Sequence, residues 1–234
     1  MAKKSAALSA VVALVAAVAV AGWVAAAPQA ARADTGQTMI NNSNNSGAAT
    51  PAPDPGLPKV PDMSIGNPDA KVTVIEYGSF TCPHCREWHA TEWPKIKKNY
   101  IDTGKVRFTF REVYFDKYGL WAGMMAHCGG PMRYFGIVDI LYDTQDQWAA
   151  SSNPNQVVAN IRKIGKTAGM TDQQLNQCMN DGKMAQALVA KYQETTAKDH
   201  IEGTPSFVID GTTYKNMSYD HMASILDAEL AKKK

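Results

Sequence analysis

Residues Lys71–Cys85 read KVTVIEYGSFTCPHC. The first eight, Lys71 to Gly78, are rich in β-branched and aromatic residues and predict a mostly buried strand. Pro83 then stands where a helix can begin, because proline has no N–H to lose in a first helical turn. A strand running into a helix through Thr81, Cys82, Pro83, His84 and Cys85 puts two cysteines one turn apart at the helix start. The unpaired N–H groups there carry a partial positive charge, which favours a thiolate over a thiol. Cys82 occupies that end and is the expected nucleophile; Cys85, one turn further in, is its expected buried partner. His84 is placed to add positive charge or a hydrogen bond near the Cys82 sulfur.

Reading outward, Arg86 to Ile101 keeps helical spacing, with Pro94 expected to kink it and Gly104 to end it. Val106 to Val113 (VRFTFREV) alternates as a second strand. Strand, helix and strand make a βαβ unit with a right-handed crossover. Tyr118 to Lys198 shows only helical patterns, broken at Gly129 to Pro131, Ser151 to Pro154 and Gly169. Ser206 to Asp210 (SFVID), a turn at Gly211 and Thr213 to Lys215 predict a hairpin, and Ser218 can cap a closing helix to Lys232. The fold class expected is α/β, a helical segment of about 117–181 being inserted into a small α/β domain.

Upstream, Met1 to Lys4 is basic, Ala6 to Ala27 is a nearly unbroken Ala/Val run, and Ala31, Arg32, Ala33 offers a small-residue cleavage site. Residues 1–33 therefore read as a secretory signal, with an uncleaved anchor as the alternative. Residues 34–59 are Asn, Ser, Gly, Ala and Pro with hardly an apolar anchor, and read as a disordered tether. The formal charge is +2, and removing Lys3, Lys4 and Arg32 leaves 21 basic against 22 acidic residues, about −1. No nucleic-acid partner is expected: Lys97, Lys98 and Lys232 to Lys234 read as solvated helix ends.

Zinc needs four ligands, and His89, His127, His200 and His221 form no second paired motif, so neither metal nor other cofactor is expected. A purely structural Cys82–Cys85 bond removes little chain entropy. Cys128 and Cys178 lie in the helical block; they either form a structural disulfide or remain two buried thiols. Met124, Met125, Met217, Met222, Trp88 and Trp93 read as packing residues.

Thr81 to Cys85 resembles the C-P-H-C active site of DsbA-like proteins, and Gly203, Thr204, Pro205 resembles the cis-proline loop of the thioredoxin superfamily. The likeness in element order runs from about Val60 onward, which implies residues 60–234 as a DsbA-like thioredoxin domain. It implies a cis Pro205 lying against the Cys82 sulfur, a Thr204 backbone that pairs with substrate peptide, and Glu76 as a buried acid serving Cys85. It also implies a monomeric periplasmic disulfide donor acting on unfolded or reduced exported proteins and reoxidised by a DsbB-like membrane quinone reductase. Thr204 departs from the valine of the best-known DsbA proteins toward the disulfide isomerases. An isomerase or reductase, and a non-catalytic module with structural cysteines, stay open as alternatives.

Overall fold

The computed structural model describes residues 56–233. The expected signal and most of the tether lie outside the described residues. Among the described residues, no helix is long and apolar enough to cross a membrane.

The predicted strands form the centre of a five-stranded sheet in the order β1-β3-β2-β4-β5. β2 (Val72–Gly78) and β3 (Val106–Glu112) pair in parallel, Gly78 opposite Glu112. They are joined by α1 (Pro83–Thr91) and α2 (Trp93–Ile96), the latter running on into a π-helical turn at Lys97–Ile101. The expected kink is real, but it falls at Glu92, and Pro94 sits inside the first turn of α2, where its missing N–H costs nothing. β4 (Ser206–Ile209) and β5 (Thr212–Lys215) make the hairpin. Asp210 (φ 45°) and Gly211 (φ 88°) both take positive φ in a two-residue turn, the conformation an Asp-Gly pair adopts at least cost. The edge strand β1 (Met63–Ile65), antiparallel to β3, has no counterpart in the sequence reading; three residues are too few to show a period.

Register decides where the site lies. β4 runs antiparallel to β2 with Ser206 opposite Tyr77, so the chain enters β4 at the end where β2 leaves the sheet. Residues 203–205, immediately before β4, are thereby brought beside residues 79–82, immediately after β2.

Helices α3 (Lys117–Cys128), α4 (Pro131–Asp143), α5 (Gln145–Trp148), α6 (Pro154–Thr167) and α7 (Asp172–Met179) follow β3. α8 (Gly182–Lys198) then leads back to the sheet, and α9 (Tyr219–Lys232), capped by the Ser218 hydroxyl, closes the chain. α8 is tied to the strands through Asp199, which accepts from the Tyr77 hydroxyl at 2.6 Å and from Arg111 at 3.1 Å. The helical block is anchored by the buried Glu112, whose carboxylate meets His127 Nε2 at 2.7 Å and the Tyr134 hydroxyl. Aromatic packing joins block and sheet: Phe135 of α4 meets Phe108 of β3 edge-on with centroids 6.3 Å apart, and Tyr134 packs on Phe110 at 6.4 Å; Phe80 stacks on Phe110 at 5.5 Å and Trp88 of α1 packs on Phe207 at 4.8 Å. Met124, Met125, Met217, Met222, Trp88 and Trp93 are all buried.

A disulfide joins Cys128, the last residue of α3, to Cys178 in α7, 50 residues apart. Closing a loop of that length stabilises by about 4 kcal/mol in the chain-entropy account. Replacing both cysteines by alanine is therefore expected to lower the melting temperature by about 8–16 °C, measured by calorimetry under non-reducing conditions. A change under ~2 °C would show that the bond contributes little.

Candidate active site

Cys82 is the N-cap of α1, with extended backbone (φ −82°, ψ 120°), and Pro83 opens the helix. In that position the Cys82 sulfur takes the place usually held by a Ser or Asp oxygen: it accepts the N–H of Cys85 at 3.4 Å. The sulfur also lies 3.6 Å from the Thr204 carbonyl oxygen. The Thr204–Pro205 peptide bond is cis. The sequence-expected pair Cys82 and Cys85 and the distant Thr204 and Pro205 are thus in one place.

The two sulfurs differ sharply. The Cys82 thiol is pulled from the ordinary value of 9.0 to about 5, first by the Cys85 thiol donating to it. Partial burial opposes this, and the Thr204 hydroxyl and the Cys85 and His84 N–H groups add to it. Cys85, fully buried, is pushed far upward, chiefly by desolvation, then by its hydrogen bond to Cys82 and the charge of Glu76. One turn of helix therefore separates an easily formed anion from a thiol that keeps its proton. His84 contributes through its N–H; its side chain is exposed and lines a groove with Glu87, Trp88 and Met217. Pro83 is exposed as well.

Glu76 is fully buried in β2, not a carboxylate facing solvent, and both its oxygens lie 3.0 Å from His89 Nε2. Gln145 donates to the Phe80 and Cys82 carbonyl oxygens at 2.8 and 3.0 Å. The Thr81 hydroxyl donates to Asp116, the N-cap of α3, at 2.6 Å. The helical block thereby grips the turn that presents Cys82. Among the described residues no cluster of His, Cys, Asp or Glu is arranged to hold a metal ion.

The sequence profile of the family described as Thioredoxin matches residues 59–228. The chain belongs to the thioredoxin family. Within this family setting, a Rickettsia bellii protein named "Putative protein-disulfide oxidoreductase" is 34% identical over 174 residues, which are 74% of this chain and 66% of that one. The chain thus spans just under two thirds of that relative. The Bacillus subtilis "Disulfide bond formation protein D" is 26% identical over 185 residues, 75% of this chain and 80% of its own. Among solved structures, Wolbachia pipientis alpha-DsbA1 superposes with a TM-score of 0.68 at 29% identity, covering 75% of this chain and 94% of that one.

His89, Gln145, Tyr142 and Asp116 were not assigned to the site from the sequence. His89 stands four residues after Cys85, on the same helix face, and that spacing was the available signal. Gln145 and Tyr142 come from the helical block, and nothing local points them at Cys82.

The Cys82 shift makes stability depend on redox state and pH. Its folded value is depressed, so the reduced protein gains stability that is complete above about pH 9, partial at neutrality, and lost as pH falls through about 5. At pH 7 two pKa units correspond to about 2.7 kcal/mol, and on the order of 2 kcal/mol after solvent screening at this half-open site. Reduced protein is therefore expected to melt about 4–8 °C above oxidised protein at pH 7 from this contribution, the gap closing below pH 5. A gap that does not change with pH would contradict the assignment.

Proposed function

We propose that the chain is a protein thiol-disulfide oxidoreductase that donates a Cys82–Cys85 disulfide to reduced, exported proteins in the periplasm. The observation that carries this is the placement of the Cys82 sulfur at the amide-bearing start of α1, against the loop holding cis-Pro205. A stabilised Cys82 thiolate favours the reduced enzyme and so makes its disulfide the more ready to be given away; ~2 kcal/mol corresponds to about 40 mV of added oxidising strength.

Donation takes two exchanges. A substrate thiolate forms a bond to the Cys82 sulfur as the Cys82–Cys85 bond breaks, and Cys85 leaves with the electron pair and takes up a proton. A second substrate thiolate then attacks the substrate sulfur of the mixed disulfide, leaving a substrate disulfide and the Cys82 thiolate. The exposed backbone beside Thr204 is the proposed partner for an extended substrate segment. Reoxidation is assigned to a DsbB-like membrane quinone reductase. The enzyme acts as a monomer without a cofactor, and export is ascribed to residues 1–33.

Thr204 favours a second reading, isomerase or reductase, because it stands where the best-known DsbA proteins carry valine and resembles the isomerases. The reduction potential against a glutathione series separates the two: a donor lies well above thioredoxin's ~−270 mV, a reductase near it. Cys82→Ser is expected to abolish oxidation of a reduced model protein, and Cys85→Ser, offered a disulfide-bonded model protein, to accumulate the mixed disulfide that its Cys82 thiolate forms by expelling a substrate thiolate, seen as a band that reductant removes. Undiminished oxidation by Cys82→Ser would contradict the assignment of Cys82, and a wild type that oxidises nothing would leave only a binding module.

A further inference from the structure

The buried face of α1 holds a histidine that the exchange mechanism above does not use. His89 is 6% exposed, and its side chain and that of Glu76, at 4% and 0%, meet within the protein. Nε2 lies 3.0 Å from each carboxylate oxygen, whereas Nδ1 is buried with no hydrogen-bond partner. A proton on Nε2 satisfies the carboxylate and leaves only a lone pair unmatched. A proton on Nδ1 alone would orphan a buried N–H and aim a lone pair at the carboxylate, the costlier arrangement. The neutral ring is therefore the Nε2–H tautomer, donating to Glu76.

The surroundings make that hydrogen bond consequential. Glu76 is close enough to Cys85 to raise its thiol, and Cys85 stands one helical turn before His89. From α4, the Tyr142 ring stacks on His89 with centroids 4.1 Å apart, and its hydroxyl donates to the Ser79 carbonyl oxygen at 3.2 Å. Asp139, also on α4, is within electrostatic reach of His89 but is engaged by Trp93 Nε1 at 3.0 Å. Trp88, Trp93 and, from β3, Phe110 close the remaining sides with uncharged rings. Among these facing groups Glu76 is the carboxylate that both His89 and Cys85 can use.

We propose that His89 is a positioning residue for disulfide exchange: its Nε2–H fixes the buried Glu76 carboxylate as the group that takes and returns the Cys85 proton. This rests on the exchange reading given above. When a mixed disulfide on Cys82 is resolved, Cys85 passes its proton to Glu76 and its sulfur bonds to the Cys82 sulfur. The bond from Cys82 to the partner breaks, and the partner sulfur leaves as a thiolate with the electron pair. In the donating direction the Cys82–Cys85 bond breaks under attack by a substrate thiolate, and Cys85 departs with the pair and recovers the proton from Glu76. Without a donor on His89, the buried carboxylate loses the hydrogen bond that accompanies its charge, in a setting that disfavours charge.

The test uses reduced full-length protein and an aromatic disulfide that releases nitrothiobenzoate, followed by stopped flow across the pH range. The first equivalent reports attack by Cys82, the second attack by Cys85 on the mixed disulfide. For His89→Phe the first release is expected to be unchanged. The second should slow about tenfold at pH 7, its pH limb displaced upward by about one unit. His89→Gln, which keeps an N–H at the Nε2 position, should recover most of the loss, and Glu76→Gln combined with His89→Phe should add nothing to Glu76→Gln alone. Coincident second-release limbs for wild type and His89→Phe overturn the proposal while leaving the exchange reading intact; a wild type that gives no first release overturns the exchange reading itself. Nitrogen NMR of the wild-type imidazole tests the same point even if the phenylalanine variant does not fold: Nε2 protonated supports the proposal, and a proton on Nδ1 alone overturns it.

Discussion

One hydrogen-bond arrangement, the sulfur of an N-capping cysteine facing the first amides of a helix, organises this molecule. Helices commonly begin with a side-chain oxygen in that role. Here Cys82 fills it, so the free amides that must be satisfied at any helix start are satisfied by the group whose charge matters most. The sheet supplies the rest by register: β2 ends and β4 begins at the same level, which brings Thr204 and Pro205 to Cys82 from more than a hundred residues away.

The asymmetry between the two cysteines follows from depth. Cys82 is at the tip, where amides reach it; Cys85 is on the face of α1 that packs inward, where desolvation and the charge of Glu76 hold its proton in place. A pair built this way has one sulfur ready to attack or be attacked and one that needs help with a proton. The fully buried Glu76, otherwise an expensive residue to place in a strand, sits where that help would come from.

Much of this is legible in the chain itself. Lys71 to Cys85 carries a strand, a proline-opened helix and the cysteine pair in fifteen letters, and the hairpin and final helix announce themselves through Asp210, Gly211 and Ser218. The cis bond and the buried acid came only from family likeness, since a Thr-Pro pair or a glutamate within a strand has several ordinary meanings. What stayed hidden depends on tertiary contact. Gln145 reaching two carbonyls of the active-site turn, and Tyr142 lying over His89, come from helices whose local sequence reports only that they are helices. The Cys128–Cys178 bond was one of two outcomes until α3 and α7 were seen side by side.

The proposed exchange chemistry stands on the Cys82 anion. Its most direct measurement is the ultraviolet absorbance of the thiolate in the reduced protein, titrated with acid and with the Cys82→Ser variant as blank. A midpoint near pH 5 is the expected result; a midpoint near the ~8.5 of an unassisted thiol would contradict the account.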